Sequence, residues 1–482
     1  MTKSETPAER LPVSQTLAYG AGNMANQIFD SGIGYMVFYV FNIALGVNPF
    51  LVGLAQSLAR GVDLFTDPLS GYLSDSLRYK FGLRFFLALG SSVGGIFFAL
   101  IWLFPLGLSP ADYFVWLLAC FAVTAVGWSL FSVPRGALGF EMTHNPYERT
   151  KLMTIAGVMA MVCNLSICWA YAGTQLPLFG GTINGARWIG GAMGGGIIVF
   201  GMISAFGCRG GEPIPKTALS SNERSRVPGL RDFAAAFKRV MKSQAFVLLT
   251  GAISLMVIGL VSTLYGVGPC LVIYHVYGGS QAKASVLLGA GNTAWLVTGL
   301  IFSAPVLWLS RRIGKKPTLL VFLFVALVGG GFKWIFYDPA RPWLAVIPFS
   351  LFGCGTGALA ALAPSMVADA CDLEESVSGA RDSGMFSAFY YWTNKLGTSI
   401  GMAITGIILN LTGFSAAKGG ALSHKTIVEM KIIDSAIPAL TIFVGMIMIY
   451  FYPITVKQME AVRALLKKRY VLPVAFDGME QI

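Results

Sequence analysis

Charge is what this sequence has least of. Only 12% of its 482 residues are Asp, Glu, Lys or Arg, against about a quarter in an ordinary soluble domain. With 55% hydrophobic residues and a mean hydropathy of +0.67, the chain reads as an integral membrane protein. No CxxC pair occurs. The seven cysteines, at 120, 163, 168, 208, 270, 354 and 371, fall mostly in apolar stretches, and so read as small buried thiols, not as a disulfide frame or a metal site. The three histidines, 144, 275 and 424, sit at span ends or in loops. No nucleophile–base pair, metal-ligand spacing or phosphate loop accompanies them, which argues against an enzyme and against a cofactor. The net charge of +12 is dispersed between apolar spans instead of forming the single patch a nucleic-acid binder needs. No cleavable signal is expected, because the polar start TKSETPAERLPVSQ runs straight into a full-length hydrophobic segment.

What is present is a series of apolar runs of bilayer length. Twelve spans are expected, near 16–43, 48–74, 84–106, 112–142, 150–177, 185–208, 244–274, 283–309, 317–337, 342–369, 382–412 and 433–455. Basic residues collect in alternate gaps: Arg78, Lys80 and Arg84 after span 2, Arg149 and Lys151 after span 4, Arg209 to Lys242 after span 6, and Arg311, Arg312, Lys315 and Lys316 after span 8. The tail is basic too, and the opposite gaps are short and nearly uncharged, except for Lys418, Lys425 and Lys431 in the last. Both termini are therefore expected in the cytoplasm, in a multi-pass protein of the cell (inner or plasma) membrane. A Pro-, Gly- and Ser-rich linker at 209–243, with a short helix expected from Leu230 to Arg239, separates 1–208 from 244–455 and leaves a tail at 456–482. The halves echo each other. SDSLRYKFGLR follows span 2 where SRRIGKKP follows span 8, and FEMTHNPYERT and VADACDLEES close spans 4 and 10. The expected fold class is an all-α membrane protein of twelve transmembrane helices in two pseudo-symmetric six-helix halves, the plan of major facilitator transporters, with substrate held between the halves.

Span 2 carries charge that needs a reason. In QSLARGVDLFTDPLSGYLSD, Gln56, Arg60, Asp63 and Asp67 fall within roughly 60° of one another on a helix and form one polar stripe. A charge at bilayer depth costs at least ~2.5 kcal/mol, so such a stripe normally faces a bundle interior or a wet cavity and marks an ion or substrate path. The plainer reading is that Arg60 and Asp63 neutralise each other to staple two helices, which leaves Asp67 needing a cation. Span 1 repeats the pattern with Asn23, Asn26, Gln27 and Asp30 on one face, more than interhelical glue requires. Span 4 brings Trp128, Ser129, Ser132 and Arg135; Arg135 either meets a substrate or locks to Glu141. Span 11 brings Trp392, Asn394, Lys395 and Ser399, and the counter-charge for Lys395 is expected across the cavity at Asp63 or Asp67. Trp128 and Trp392 suit either a sugar ring or ordinary packing.

These pieces together resemble the glycoside–pentoside–hexuronide:cation symporters, the facilitator branch that contains the melibiose carrier. The similarity runs over nearly the whole chain: YGAGNMAN in span 1, ARGVDLFTDPLSGYLSD with RYKFGLR, SVPRGALGFEMTHNPYERTKL, and MVADACDLEE with GARDSGMF and Lys395. The resemblance implies that Asp63 and Asp67 are the carboxylates of the coupling-cation site, acting as metal ligands if the ion is Na⁺. It further implies that Thr66 and Ser129 complete that site and that Lys395 links the two halves there. Hard cations take several oxygen ligands, and two carboxylates a helical turn apart supply them; the same acids could instead exchange protons. The sugar side departs from the melibiose carrier, since Gln27 and Ser132 stand where that protein has acids, and Gly136 stands where it has a tryptophan.

The expected function is a secondary active symporter, coupling Na⁺ or H⁺ entry to uptake of a sugar, glycoside or hexuronide by alternating access, with no obligate protein partner. Candidate substrate-binding residues are Asn23, Asn26, Gln27, Asp30, Arg60, Trp128, Ser132, Arg135 and Trp392. Ion pairs among Asp75, Arg78, Arg84, Glu141, Arg149, Asp369, Asp372 and Arg381 are candidates for an inner gate, or else serve topology alone. The alternatives are a cation-dependent carrier of lysolipid or another amphiphile, and a membrane sensor that no longer transports.

Overall fold

The computed structural model describes residues 11–143, 145–209, 238, 240–378, 383–414, 422–462 and 464–466. Every element among them is helical. We label the long helices α1 (Val13–Gly34), α2 (Pro49–Ser76), α3 (Arg78–Trp102), α4 (Pro110–Glu141), α5 (Pro146–Ile167), α6 (Thr182–Gly207), α7 (Gln244–Ser262), α8 (Gln281–Ile313), α9 (Lys315–Phe336), α10 (Val346–Ser378), α11 (Ser383–Leu411) and α12 (His424–Tyr450). Nine described helices are long and apolar enough to cross a bilayer. The long helices that fall short, α1, α2 and α11, are those carrying the polar stripes of spans 1, 2 and 11, and each polar residue lowers the mean hydropathy of its window. The helix expected from Leu230 to Arg239 lies outside the described residues.

Spans 1 and 7 depart from a single helix. Beyond α1 the chain winds as a π-helix over Phe38–Ala44, and beyond α7 it does so over Thr263–Val267 and again over Val272–Val276. These wide turns are rare and tend to occur at functional sites. The corresponding turns after α2 and α8 share another device. Gly82 (φ 68°) and Gly314 (φ 92°) both reverse the chain with a left-handed backbone, which side chains with a Cβ resist. Both lie inside the basic sequences RYKFGLR and SRRIGKKP.

The chain forms two compact units. The first is Met1–Val227 with Val261–Thr293 and Ser399–Met430; the second is Pro228–Leu260 with Ala294–Thr398 and Lys431–Ile482. In the first, α3 packs on α4 and α6, α1 on α5 and α6, and α2 on α4, around a core that includes Leu83, Leu87, Phe131, Leu138 and Leu152. The ends of span 7, α8 and α11 remote from the basic turns belong to this unit. Tyr39 stacks on Tyr171 (4.0 Å, 12°) and Tyr35 meets Tyr265 edge-on. Trp169 Nε1 donates to Thr293 Oγ1 (3.0 Å), and Tyr171 and Thr182 both donate to Gln281 Oε1. α2 crosses α11 so closely that Ser399 Oγ donates to the Ser57 carbonyl (2.9 Å).

In the second unit, α9 packs on α10 and the core includes Phe246, Leu323, Phe352 and Phe386. A buried ion pair spans 101 residues of sequence: Lys333 Nζ of α9 lies 3.3 Å from Asp434 Oδ1 and 3.2 Å from Oδ2 of α12. The described cysteines are all buried and unbridged, as expected of small apolar thiols.

Candidate functional site

α1, α2 and α4 bring most of the expected polar residues together in the first unit. On α2, Arg60 stands between two acids. Its Nη1 is 3.4 Å from Asp30 Oδ1 and 3.4 Å from Asp63 Oδ2, and its Nη2 is 3.4 Å from the Asp30 carbonyl. Asp63 is 1% exposed, so this is an ion pair largely removed from solvent, with Asp30 as the half-exposed outer partner. The plainer reading of Arg60 and Asp63 as mutual neutralisers is thus met in part, and Asp30 joins them.

One helical turn on, the chemistry changes from charge pairing to hydroxyls. Ser129 Oγ of α4 donates to Asp67 Oδ1 (2.6 Å) and lies 2.7 Å from Thr66 Oγ1. A hydroxyl has one proton; with that of Ser129 given to Asp67, a Thr66–Ser129 bond takes its proton from Thr66. Ser70 Oγ donates to the Ser129 carbonyl (2.7 Å) and pins α4 against α2. Of the residues expected at the cation site, Thr66, Asp67 and Ser129 are therefore in contact. Lys395 and Trp392 are on the part of α11 that belongs to the second unit.

Asp63, Arg60, Gln56, Thr124 and Trp128 line a cleft with a volume of about 30 Å³. That is room for an ion or a water or two, not for a sugar ring. Thr124 was not read from the sequence, although it lies one turn before Trp128 on the same face of α4; its buried Oγ1 has no hydrogen-bond partner among the described residues. Trp128 is buried against Phe29, ring centroids 4.4 Å apart, so its ring face is already in contact with protein. Farther along α1, Asn26 Oδ1 is buried without a partner among the described residues, and Gln27 Nε2 donates to Ser31 Oγ (2.6 Å). Arg135 Nη1 donates to Asn23 Oδ1, with the guanidinium over the Tyr19 ring at 5.3 Å. Ser132 is half-buried on the preceding turn of α4.

The alternative in which Arg135 locks to Glu141 is overturned. Both oxygens of Glu141 are taken by Arg78, through Nη1 to Oε1 (2.6 Å) and Nη2 to Oε2, because α2, which packs on α4, ends just before Arg78. Among the other expected gate residues, Arg84 Nη2 donates to the Cys208 carbonyl (3.0 Å) and Arg149 Nη2 to the Thr143 carbonyl (3.1 Å). Asp369, in the last third of α10, is paired with Lys315. Lys315–Asp369 thus repeats, in the second unit, what Arg78–Glu141 does in the first. Asp372 is half-buried; the Asp75 side chain and Arg381 lie outside the described residues. Sequence reading also missed Glu148, buried and accepting from the Leu11 amide (3.3 Å) and Lys151 (3.5 Å).

Among the described residues no group of three or more His, Cys, Asp or Glu is placed to hold a metal ion. What α2 and α4 assemble is an oxygen set of carboxylates and hydroxyls, suited to a hard monovalent cation or to a proton.

The model of a family described as MFS/sugar transport protein matches residues 18–456. The chain is 25% identical to the glucuronide carrier protein homolog of Escherichia coli (strain K12), covering 92% of this chain and 93% of that one. It is 23% identical to the isoprimeverose transporter of Lactiplantibacillus pentosus, covering 87% and 85%. Among solved structures, the crystal structure of a D-xylose-proton symporter is similar in fold, with a TM-score of 0.61 at 14% identity over 90% of this chain and 97% of that one.

Proposed function

Since the chain belongs to the MFS/sugar transport protein family, in its glycoside–pentoside–hexuronide:cation symporter branch, we propose that it carries a sugar, glycoside or hexuronide across the membrane by symport with Na⁺ or H⁺. The observation that carries this reading is the Thr66–Ser129–Asp67 hydroxyl chain one turn from the buried Asp63. In this reading the cation adds at Asp63 and Asp67, with the hydroxyls of Thr66 and Ser129 as neutral ligands. Arg60 then acts as a tethered counter-ion. It holds Asp63 neutralised when the cation is away and falls back on Asp30 when the cation arrives, so the buried carboxylate is never left uncompensated.

Arg135, held by Asn23, offers the planar donor fork that suits a sugar hydroxyl pair or a hexuronide carboxylate. Substrate and cation then raise each other's affinity by the same factor. Twelve spans in two halves at 1–208 and 244–455, with both termini cytoplasmic, form the frame of this mechanism. Arg78–Glu141 and Lys315–Asp369 act as ion pairs of the inner face. Lys395 is assigned the role of linking the halves at the cation site, and Trp392 that of a sugar-facing ring.

Sodium titrated against the thermal stability of the purified protein tests the proposal. Wild type should gain about 2.7 kcal/mol at a hundredfold excess over the dissociation constant, and Asp67→Asn should gain nothing and fail to accumulate substrate in vesicles under a sodium gradient. If neither protein responds to sodium, the same uptake run under a pH gradient decides for protons; accumulation by Asp67→Asn at the wild-type level would remove the carboxylate from coupling. Ser129→Ala should weaken cation binding by about 10- to 150-fold, the loss of one hydrogen bond to a charged group worth about 1.5–3 kcal/mol. An unchanged titration midpoint would return Ser129 to a packing role. Competition of uptake by a glucuronide, but not by lysophosphatidylcholine, separates the sugar reading from the amphiphile one.

A further inference from the structure

We propose that the second unit holds a binding site for the headgroup of an anionic phospholipid, at the turn between α8 and α9. α8 ends in Ser310, Arg311, Arg312 and Ile313, the chain turns at Gly314, and α9 begins with Lys315 and Lys316. The segment after α12 passes beside this turn. Between them lies a cavity of about 520 Å³, within the ~300–1,000 Å³ typical of small-molecule sites. Its lining is divided: Ile313, Met366, Ile454 and Met459 are apolar, while Lys315, Lys316 and Thr455 are polar.

The basic groups differ in how far they are committed. Lys315 is held by Asp369 and by the Ser365 carbonyl (3.2 Å). Lys316 donates to the Tyr452 carbonyl (2.9 Å) and lies over the Tyr450 ring at 5.5 Å. An ammonium has three N–H groups, so Lys316 keeps donors for a ligand. Arg311, Arg312 and Lys457 are exposed and directly follow or precede the lining residues Ser310, Ile313 and Val456 in sequence. Against them stands Glu460, the one acid among the lining residues besides the paired Asp369. Within the lining the two lysines match the two acids, so the excess of positive charge that draws an anion comes from the exposed Arg311, Arg312 and Lys457 beside it in sequence.

The flanking aromatic residues place the cavity in depth. Trp308, Tyr450 and Phe451 are all more than half exposed, and Arg312 sits over the Trp308 ring at 4.2 Å. Exposed Trp and Tyr on membrane helices mark the headgroup level. A cavity at that level, part apolar in its lining and bordered by a basic turn, fits a phosphodiester that carries acyl chains better than it fits a soluble anion. The face is the one with the basic turns, where anionic lipid attracts Lys and Arg. A phosphate held by Lys316 would join the α8–α9 turn to the segment after α12, beside the Lys315–Asp369 pair. This inference rests on the membrane reading of the chain and is independent of cation coupling.

The test uses full-length protein reconstituted in vesicles of equal parts phosphatidylglycerol and phosphatidylcholine, re-extracted and analysed for retained lipid by native mass spectrometry. Wild type should retain phosphatidylglycerol in preference to phosphatidylcholine. Arg312→Gln combined with Lys457→Gln, both at exposed positions, should lower that retention by about fivefold per charge removed. Val456→Trp, which fills the cavity mouth and alters no charge, should lower it as well, while both variants unfold at the wild-type temperature in lipid-free detergent. Equal retention of the two lipids, or retention unchanged in both variants, overturns the site. Displacement of phosphatidylglycerol by millimolar inorganic phosphate overturns the lipid assignment in favour of a soluble phosphate ligand.

Discussion

Lys333→Met is expected to cost the folded protein about 3–5 kcal/mol, the penalty for leaving the carboxylate of Asp434 buried without its partner. The ammonium of Lys333 lies within 3.3 Å of both carboxylate oxygens, and it also lies over the Phe352 ring of α10 at 5.2 Å. Three helices, α9, α10 and α12, are thus held at one level by a single charged group. The two side chains are 7% and 1% exposed, so water cannot replace either partner. Asp434→Leu should be as damaging as Lys333→Met for the mirror-image reason. The double variant Lys333→Met with Asp434→Leu removes both charges and should recover most of the loss, since a buried pair replaced by apolar groups of similar size is often neutral or stabilising. Thermal unfolding of the four proteins in one detergent gives the coupling energy directly. Single variants as stable as wild type would show that the pair is solvated or dispensable, and a double variant no better than the singles would assign the damage to lost packing.

Gly53→Val should cut transport by about 5- to 150-fold in a protein that still folds. A Cβ at Gly53 would lie 2.6 Å from the Met402 carbonyl and 3.2 Å from Gly406 Cα, and one at Gly406 would lie 2.7 Å from the Pro49 carbonyl. These neighbours are backbone, which cannot step aside as a flexible side chain does. The added branch therefore opposes the close crossing of α2 and α11 near Ser57 and Ser399. Overpacking of this kind costs about 1–3 kcal/mol, enough to shift a two-state balance by about 5- to 150-fold. If the crossing at the end remote from the basic turns closes one side of the pathway, the variant should be held open there. It should still bind cation, with the sodium-dependent thermal shift intact, while uptake falls by a comparable factor. Uptake at the wild-type rate would show that this crossing does not move in the transport cycle. Gly406→Val provides the same test from the other helix.

The sequence by itself determined what depends on neighbours along the chain. Hydropathy marks the apolar spans because a bilayer demands about twenty consecutive apolar residues, and the period of 3.6 residues put Gln56, Arg60, Asp63 and Asp67 on one face before any fold was known. The turns RYKFGLR and SRRIGKKP, with their glycines, were legible for the same reason. So was the family, whose motifs are short and local.

Pairing between helices was decided by the tertiary structure. Arg135 and Arg78 were both within reach of Glu141 as the sequence reads, and only the packing of α1 on α4 gave Arg135 to Asn23, as that of α2 on α4 gave Glu141 to Arg78. Thr124 gained its place in the cleft beside Asp63 from that same packing. Lys333 and Asp434 carried no local sign of each other, since nothing in a helix's own periodicity names a partner 101 residues away. The π-helical stretches after α1 and α7 likewise had no signal in hydropathy, which averages over the turns that differ. Local pattern chooses the face a side chain occupies; which other face it meets is set by close packing of the whole bundle, where glycines such as Gly53 and Gly406 fix how near two helices come.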